Sequence, residues 1–303
     1  MPQQDIVLLS YPDVTSGNVT LLRSAAVERD IELQEWAPHQ ISVWCANGHI
    51  EPLYGNSPKS PSLIIHRTIA RLQGLVIPAL RQWQKAGSII VNDLSASVDS
   101  RDKLVTAIRL TEAGLPTVPS VGFLPWEGIK LDRLPSGITV IKPAHGLQGR
   151  GISFFAERDE AEAEATSMRW SDADDIFSEY YLAQPAIGRL GQDIRAYVVG
   201  GACVALARRT ATGPGERRAN ITLGAVVSAL PLDHPAAGLA VKATMALGLD
   251  YAGVDLLETE GGDLQILEVD AWAGFSGLQN ATGADVAGSI LDLALEKLRR
   301  RRT

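Results

Sequence analysis

The chain has 303 residues, 46% of them hydrophobic and 21% charged, which is enough ordinary globular sequence for two or three packed units. A formal net charge of −7 leaves no cationic surplus to neutralise nucleic-acid phosphates, and the run from Arg299 to Arg302 reads as the solvated end of a last helix. Cys45 and Cys203 lack metal-type spacing and are expected to be small buried hydrophobes; the basic n-region of a leader and a membrane-length apolar run are both missing, so the expected compartment is cytoplasmic.

Asp5 to Ser10 reads as a buried strand, followed by a helix capped by Ser16 and ending near Arg29. Ile31 to Trp36 is a second strand, and Asn47-Gly48 signals a hairpin between Val43–Cys45 and Ile50. Leu63 to His66, a helix over Leu75 to Ala86, and Ile89 to Asn92 complete an alternating unit, which predicts a mainly parallel sheet over residues 1–95. Next come a helix over Asp99 to Ala113, a strand Ile138 to Lys142, a glycine-rich turn Gly146 to Gly151, a strand Ile152 to Phe155 and a helix over Glu157 to Met168. These define a small α+β unit over 96–178. The remaining unit, 179–303, is strand-rich: Ile176 to Leu182 leads into it, followed by Ile194 to Val199, Val204 to Arg208, Tyr251 to Leu257 and Leu264 to Ala271. Helices over Ala236 to Leu247 and Asp285 to Arg302 accompany them.

The most informative stretch is Tyr251–Leu257, Gly261-Gly262 and Leu264–Asp270. A two-residue turn at the glycine pair places Asp255 opposite Glu268 and Gly253 opposite Asp270. Alternation then puts Asp255, Glu268 and Asp270 on one face, with Val254, Leu256, Leu267 and Val269 on the other. Three carboxylates so placed repel, and a divalent cation, magnesium or manganese, removes the conflict; Gly253 leaves room for its ligand. The alternative is a solvated acidic face.

Lys142 ends a strand immediately before Gly146-Leu-Gln148-Gly149-Arg-Gly151, where backbone N–H groups and a point charge can meet phosphates. This is neither a Walker A loop nor a dinucleotide fingerprint, and an ordinary loop beside a surface lysine fits equally well. His145 reads as a solvated loop residue. The pair Gly200-Gly201 suggests a second hairpin with Asp193 opposite Arg208 and Arg195 along the same face; Arg217, Arg218 and Asn220 form a cationic segment suited to polyphosphate or an anionic intermediate. GxSxG, HExxH and Cys/His signatures do not occur.

Taken in order, Arg101-Asp-Lys103, Val140-Ile-Lys142, Gln148-Gly149-Arg-Gly151, Glu179-Tyr180, Gly191-Gln-Asp193-Ile-Arg195, Arg218-Ala-Asn220, Ala252-Gly-Val-Asp255 and Leu267-Glu268-Val-Asp270 resemble the ATP-grasp superfamily, most closely the RimK-type glutamate ligases. The resemblance runs from about Leu80 to Ile290. It implies an N-terminal α/β domain, a small central lid domain and a C-terminal antiparallel-sheet domain, with ATP between the last two. Lys103, Lys142, Gln148, Gly149 and Gly151 would meet its phosphates; Glu179, Tyr180 and Tyr181 would form the adenine hinge, and Asp193 would contact the nucleotide. Arg195, Arg218 and Asn220 would be catalytic, and Asp255, Glu268 and Asp270 would hold two Mg2+ (or Mn2+) ions. The implied reaction joins a carboxylate to an amine through an acyl-phosphate, adding an amino acid to a small molecule or peptide. A ring-closing or dipeptide-forming ligase and a non-catalytic nucleotide-binding module are the alternatives. Small-molecule substrates, a homo-oligomer, no nucleic acid and no membrane are expected.

The chain departs from the family pattern where asparagine is usual and Asp270 stands, where serine is usual and Ala219 stands, and over Trp272 to Gln279. His66 and Arg67 end a strand where an acceptor carboxylate or a purely structural role is expected.

Overall fold

The computed structural model of the chain describes residues 5–10, 17–67, 73–126, 128–146, 150–167, 180–219 and 224–301. The N-terminal unit contains β1 (Ile6–Leu9), α1 (Gly17–Glu28), β2 (Leu33–Trp36), β3 (Ile41–Ala46), β4 (His49–Tyr54), β5 (Ser57–Pro58), β6 (Leu63–His66), α2 (Gln73–Ala86) and β7 (Ile89–Val91). Its parallel sheet runs β2-β1-β6-β7, and β3-β4-β5 form a separate antiparallel sheet through the expected Asn47-Gly48 turn. The run Ile6-Val-Leu-Leu9 is buried throughout because both faces are covered, as a parallel sheet requires. Val7 and Leu9 join Trp36, Leu80 and Trp83 on one side, while Ile6 and Leu8 join α1 on the other. Cys45 is exposed rather than buried, since it lies where β3 extends beyond that core.

The helix expected over Asp99–Ala113 is α4 (Lys103–Glu112), which starts four residues late, and an unforeseen short helix α3 (Leu94–Asp99) precedes it. Asp102 breaks the run by adopting the extended backbone of an N-cap. Then follow β8 (Val121–Phe123), β9 (Thr139–Pro143), β10 (Ser153–Phe155), α5 (Arg158–Ser167) and β11 (Tyr181–Pro185), giving an antiparallel sheet β10-β9-β11-β8 with α5 packed on it. The strand β8 escaped the sequence reading because it spans a mere three residues between prolines. Most of the expected strand Ile176–Leu182 lies outside the described residues, as does the Ser16 cap.

The third sheet, β14-β13-β12-β15-β16, is antiparallel and built from β12 (Gln192–Val199), β13 (Ala202–Thr210), β14 (Val226–Ala229), β15 (Tyr251–Glu258) and β16 (Leu264–Asp270). One face packs under α6 (Pro235–Ala246), where small Ala236, Ala240 and Ala243 let the helix sit close to Ile194, Ala196, Val254 and Leu256. Leu110 of α4 enters that same core, and Thr117 bridges to Ile266 at the sheet edge. The opposite face is divided. At one end Tyr197, Val199, Ala205, Ala207 and Tyr251 join the core shared with β1, β6, α7 (Ser276–Thr282) and α8 (Val286–Arg300). At the other end the same strands carry charge.

Candidate active site

The charged end follows from strand alternation. Residues facing away from α6 on β12 are Asp193, Arg195, Tyr197 and Val199, so two polar positions precede two apolar ones. On β13 and β15 the matching positions are Arg209 and Asp255. Asp255 lies opposite Glu268 and Gly253 opposite Asp270, as the sequence predicts. The turn producing that register is different, however. The strands stop at Glu258 and Leu264, and Thr259 N–H bonds to the Asp263 carbonyl at 2.8 Å, so the loop is longer than two residues. A β-bulge beside Asp255/Leu256 restores the pairing of the carboxylates, and it turns Ile266 rather than Leu267 into the α6 core.

A second bulge, between Tyr197 and Val198, overturns the other expected pairing. It places Asp193 opposite Arg209, whereas Arg208 lies opposite Ile194 and pairs with Glu258 at 2.8 Å. Arg209 is therefore a site residue missed by the sequence reading. Its guanidinium holds both Asp193 oxygens, at 2.7 and 2.6 Å, and reaches Asp255 at 2.9 Å. Arg195 approaches Asp255 from the other side at 2.7 Å. The room over Gly253 is taken by this side chain, since a Cβ there would lie 2.4 Å from Arg195 Nη1 and 2.3 Å from Ala273 Cβ.

Burial, then the neighbouring Asp255, raises the Asp193 carboxyl to about 6, against the pull of Arg209 and Arg195. Burial also pushes Glu268 upward, but Lys103, Lys142 and Arg195 outweigh it and hold the group below its ordinary value. Asp270 lies above its ordinary value, through burial and then the charge of Glu268. Lys103 contacts Glu268 at 3.5 Å. Lys142 alternates with Ile141 on β9, so Ile141 fills the lid core and Lys142 is buried on the opposite face. Burial lowers the Lys142 amine to about 8, with Glu268 opposing and Lys103 assisting.

The structure thus brings together Lys103, Lys142, Asp193, Arg195, Asp255, Glu268 and Asp270, joined by Arg209. The conflict among the three carboxylates is partly relieved by protein cations, and among the described residues no three His, Cys, Asp or Glu side chains converge as a metal cage. Glu268 and Asp270 still raise each other's cost of ionisation, as the upward shift of Asp270 records. Two carboxylates on one face suit Mg2+, which commonly takes its other ligands from phosphates and water. Asp255 is held by Arg195 and Arg209 instead. Arg218 turns back onto Glu216, donating at 2.8 Å. Gln148, Gly149, Glu179 and Asn220 lie outside the described residues. Gly151 adopts φ +70° against Pro143, where a Cβ would come within 3.0 Å.

Tyr180 and Tyr181 stand at the entry to β11, and the Tyr180 hydroxyl donates to Asp102. His145, expected as a solvated loop residue, is partly buried, and its Nε2 lies 3.3 Å from the same carboxylate. The N-terminal unit grips the segment after β16. Arg67 donates to the carbonyls of Trp272 (3.2 Å) and Ala273 (2.8 Å), and Trp272 Nε1 donates to His66 Nδ1 at 3.4 Å. Asn18 Oδ1 accepts from the N–H groups of Phe275 and Ser276, both at 2.8 Å. His66 and Arg67 thus brace the segment after β16.

The family model for the RimK-like ATP-grasp domain matches residues 129–294. A probable alpha-L-glutamate ligase of Serratia proteamaculans is 32% identical over 283 residues, covering 88% of this chain and 90% of that protein. Another, from Parasynechococcus marenigrum, is 34% identical over 72% of this chain but only 46% of its own length. Among solved structures, the ATP-grasp ligase PsnB complexed with minimal precursor superposes with a TM-score of 0.75 at 20% identity, covering 97% of this chain and 99% of that one. The fold and the site define an ATP-grasp ligase. The chain belongs to the RimK-like ATP-grasp family. Among the described residues no helix is long and apolar enough to cross a membrane.

Proposed function

We propose that the chain uses ATP to join a carboxylate to an amine, one partner being an amino acid and the other a small molecule or peptide. The observation carrying this reading is the buried Lys142 and Lys103 set against Glu268, beside the ion-paired floor of Asp193, Arg209 and Asp255. The nucleotide would lie between the units 96–178 and 179–303, with its phosphates toward the two lysines. The substrate carboxylate oxygen attacks the γ-phosphorus as the bond to the ADP oxygen breaks, giving an acyl-phosphate. The amine nitrogen then attacks the acyl carbon, phosphate departs, and the ammonium loses a proton. Lys103, Lys142 and Arg195 counter the negative charge of the transferred group. Glu268, Asp270 and Asp255 would hold one or two Mg2+ (or Mn2+) ions, which would supply further charge neutralisation. Arg218 and Asn220 would act at the terminal phosphate, Arg218 after leaving Glu216.

A panel of carboxylates and amines assayed for ADP release, with mass spectrometry of products, tests the reading and separates intermolecular from ring-closing ligation. Hydroxylamine should divert the activated acid to a hydroxamate. An active assay without that product would exclude the acyl-phosphate, and nucleotide binding without ADP release on any pair would favour a non-catalytic module.

Lys142 supplies a second expectation. An amine held at about 8 is only partly charged in mildly alkaline solution, and polyphosphate beside it restores the charge. Binding of Mg·ATP near pH 8–9 should therefore take up protons. Calorimetry in buffers of different ionisation enthalpy should detect the uptake in the wild type and lose it in Lys142→Met. For the nucleotide-free protein the sign is opposite to that of a paired lysine. The depressed amine favours the fold above its unfolded value of about 10.4, and that contribution is lost as pH falls to about 8.

A further inference from the structure

Capping α4 requires one acceptor oxygen, and Asp102 provides it: Oδ1 accepts from the N–H groups of Leu104 (2.9 Å) and Val105 (3.0 Å). The carboxylate does more than this. Oδ2 faces His145 Nε2 at 3.3 Å, and the Tyr180 hydroxyl donates to both oxygens. His145 and Tyr180 also meet edge to face, with ring centroids 5.9 Å apart. Backbone bonds close the same ring of contacts. Lys103 N–H donates to the Ala144 carbonyl at 3.3 Å, and Ala144 N–H donates to the Tyr180 carbonyl at 3.0 Å. Lys103 Nζ donates to the Gly146 carbonyl at 3.0 Å. Three segments distant in sequence therefore converge on one side chain: the start of α4, the residues after Lys142, and the entry to β11.

We propose that Asp102 is a positioning residue that locks Lys103, the Lys142–Gly146 segment and Tyr180 into one preformed surface for the nucleotide. The proposal rests on the nucleotide reading above. A cap alone needs no carboxylate, since serine serves that purpose nearly as well. Here the second oxygen and the negative charge are spent on His145 and Tyr180. The carboxyl is pressed upward by burial, yet His145, Tyr180 and the Val105 N–H bring it down to about 2, so the hub is anionic through the neutral range. Fixing these parts before ligand arrives removes part of the ordering cost of binding. A loosened hub should show in nucleotide affinity and in the KM for ATP, with kcat much less affected.

Asp102→Ser separates the roles, because serine keeps the helix cap but cannot hold His145 and Tyr180 together. Calorimetric binding of Mg·ADP should weaken about tenfold or more in Asp102→Ser, and about three- to tenfold in Tyr180→Phe and His145→Ala, as expected for losing hydrogen bonds to a charged group. Tyr180→Phe added to Asp102→Ser should cost little further, and Asp102→Asn should recover part of the loss. In turnover, the KM for ATP should follow these changes while kcat stays within about threefold. Wild-type affinity in Asp102→Ser overturns the proposal. Should that variant not fold, wild-type affinity in both Tyr180→Phe and His145→Ala overturns it equally. Absence of Mg·ADP binding by the wild type would remove the nucleotide reading itself, an outcome distinct from unchanged variants on a wild type that binds.

Discussion

Replacing Arg209 by methionine is expected to destabilise the chain by about 3–5 kcal/mol, the range for breaking a buried ion pair from one side. The side chain is 8% exposed and its partners Asp193 and Asp255 are 10% exposed. Methionine fills much of the volume but leaves two buried carboxylates beside each other with Arg195 alone between them. The cost is therefore that of stranded charge, and the net value of the original pairing is smaller. Urea unfolding at neutral pH should show the fall as a lower midpoint at unchanged slope. Asp193→Asn in the same chain should return part of it. pH provides a second check. A buried carboxyl raised to about 6 favours the folded state below its unfolded value of about 4, and this contribution is lost as pH rises through 6. Without Arg209 the shift grows, so the deficit of the variant should be smaller at pH 5 than at pH 8. A midpoint within error of the wild type would mean that Arg209 does not hold the floor of the site.

Arg209 also marks where the sequence stops being legible. Alternation correctly put Asp255, Glu268 and Asp270 on one face of their hairpin, and Asp193 with Arg195 on one face of β12; the β12–β15 pairing that unites the two sets came only from the structure. Register depends on loop length and bulges, which leave almost no local signal. The Asp255–Glu268 pairing came out correctly although the turn is longer than two residues, since the extra loop length and the bulge compensate. No such compensation exists at Gly200-Gly201, and Arg208 was matched where Arg209 stands. Asp102 was similarly submerged in a continuous amphipathic pattern, and the contacts that explain it come from His145 and Tyr180, far away in the chain. Long-range partners of this kind cannot be read from spacing.

The same reasoning explains why the segment after β16 was less legible than the carboxylate hairpin. Most of the charged cluster sits on strands, where periodicity is informative, with Lys103 at the start of α4 the exception. The Trp272–Ser276 segment is irregular until α7 begins, and its shape is imposed by Asn18, His66 and Arg67 of the N-terminal unit. Two units must dock before that segment takes its shape. Asp270 joins the two regions: it accepts from the Trp272 N–H at 2.8 Å while sharing a face with Glu268.

Glu268→Gln is expected to lower kcat about 10^2- to 10^3-fold, the scale of losing one preorganised electrostatic partner of a transferring group. The amide is nearly isosteric, and Glu268 contacts Lys103 at the comparatively long distance of 3.5 Å, so the fold should change little. Two charge effects then separate metal binding from nucleotide binding. Removing a carboxylate from a polyphosphate site leaves metal-free ADP binding unchanged or tighter. The additional affinity conferred by Mg2+ should fall sharply, because Asp270 is left with Asp255, whose oxygens are already engaged by Arg195 and Arg209. Asp270 should also ionise more readily, since the charge of Glu268 helps to hold it above its ordinary value. Asp255→Asn should behave differently, because Asp255 is bound by Arg195 and Arg209 and its loss leaves Arg195 without this carboxylate and Arg209 with Asp193 alone. A fall in stability should accompany its loss of turnover. If both variants keep full magnesium-dependent turnover, the carboxylate face is not the metal site, and the charged end of the third sheet is a structural ion network beneath a nucleotide held by other residues.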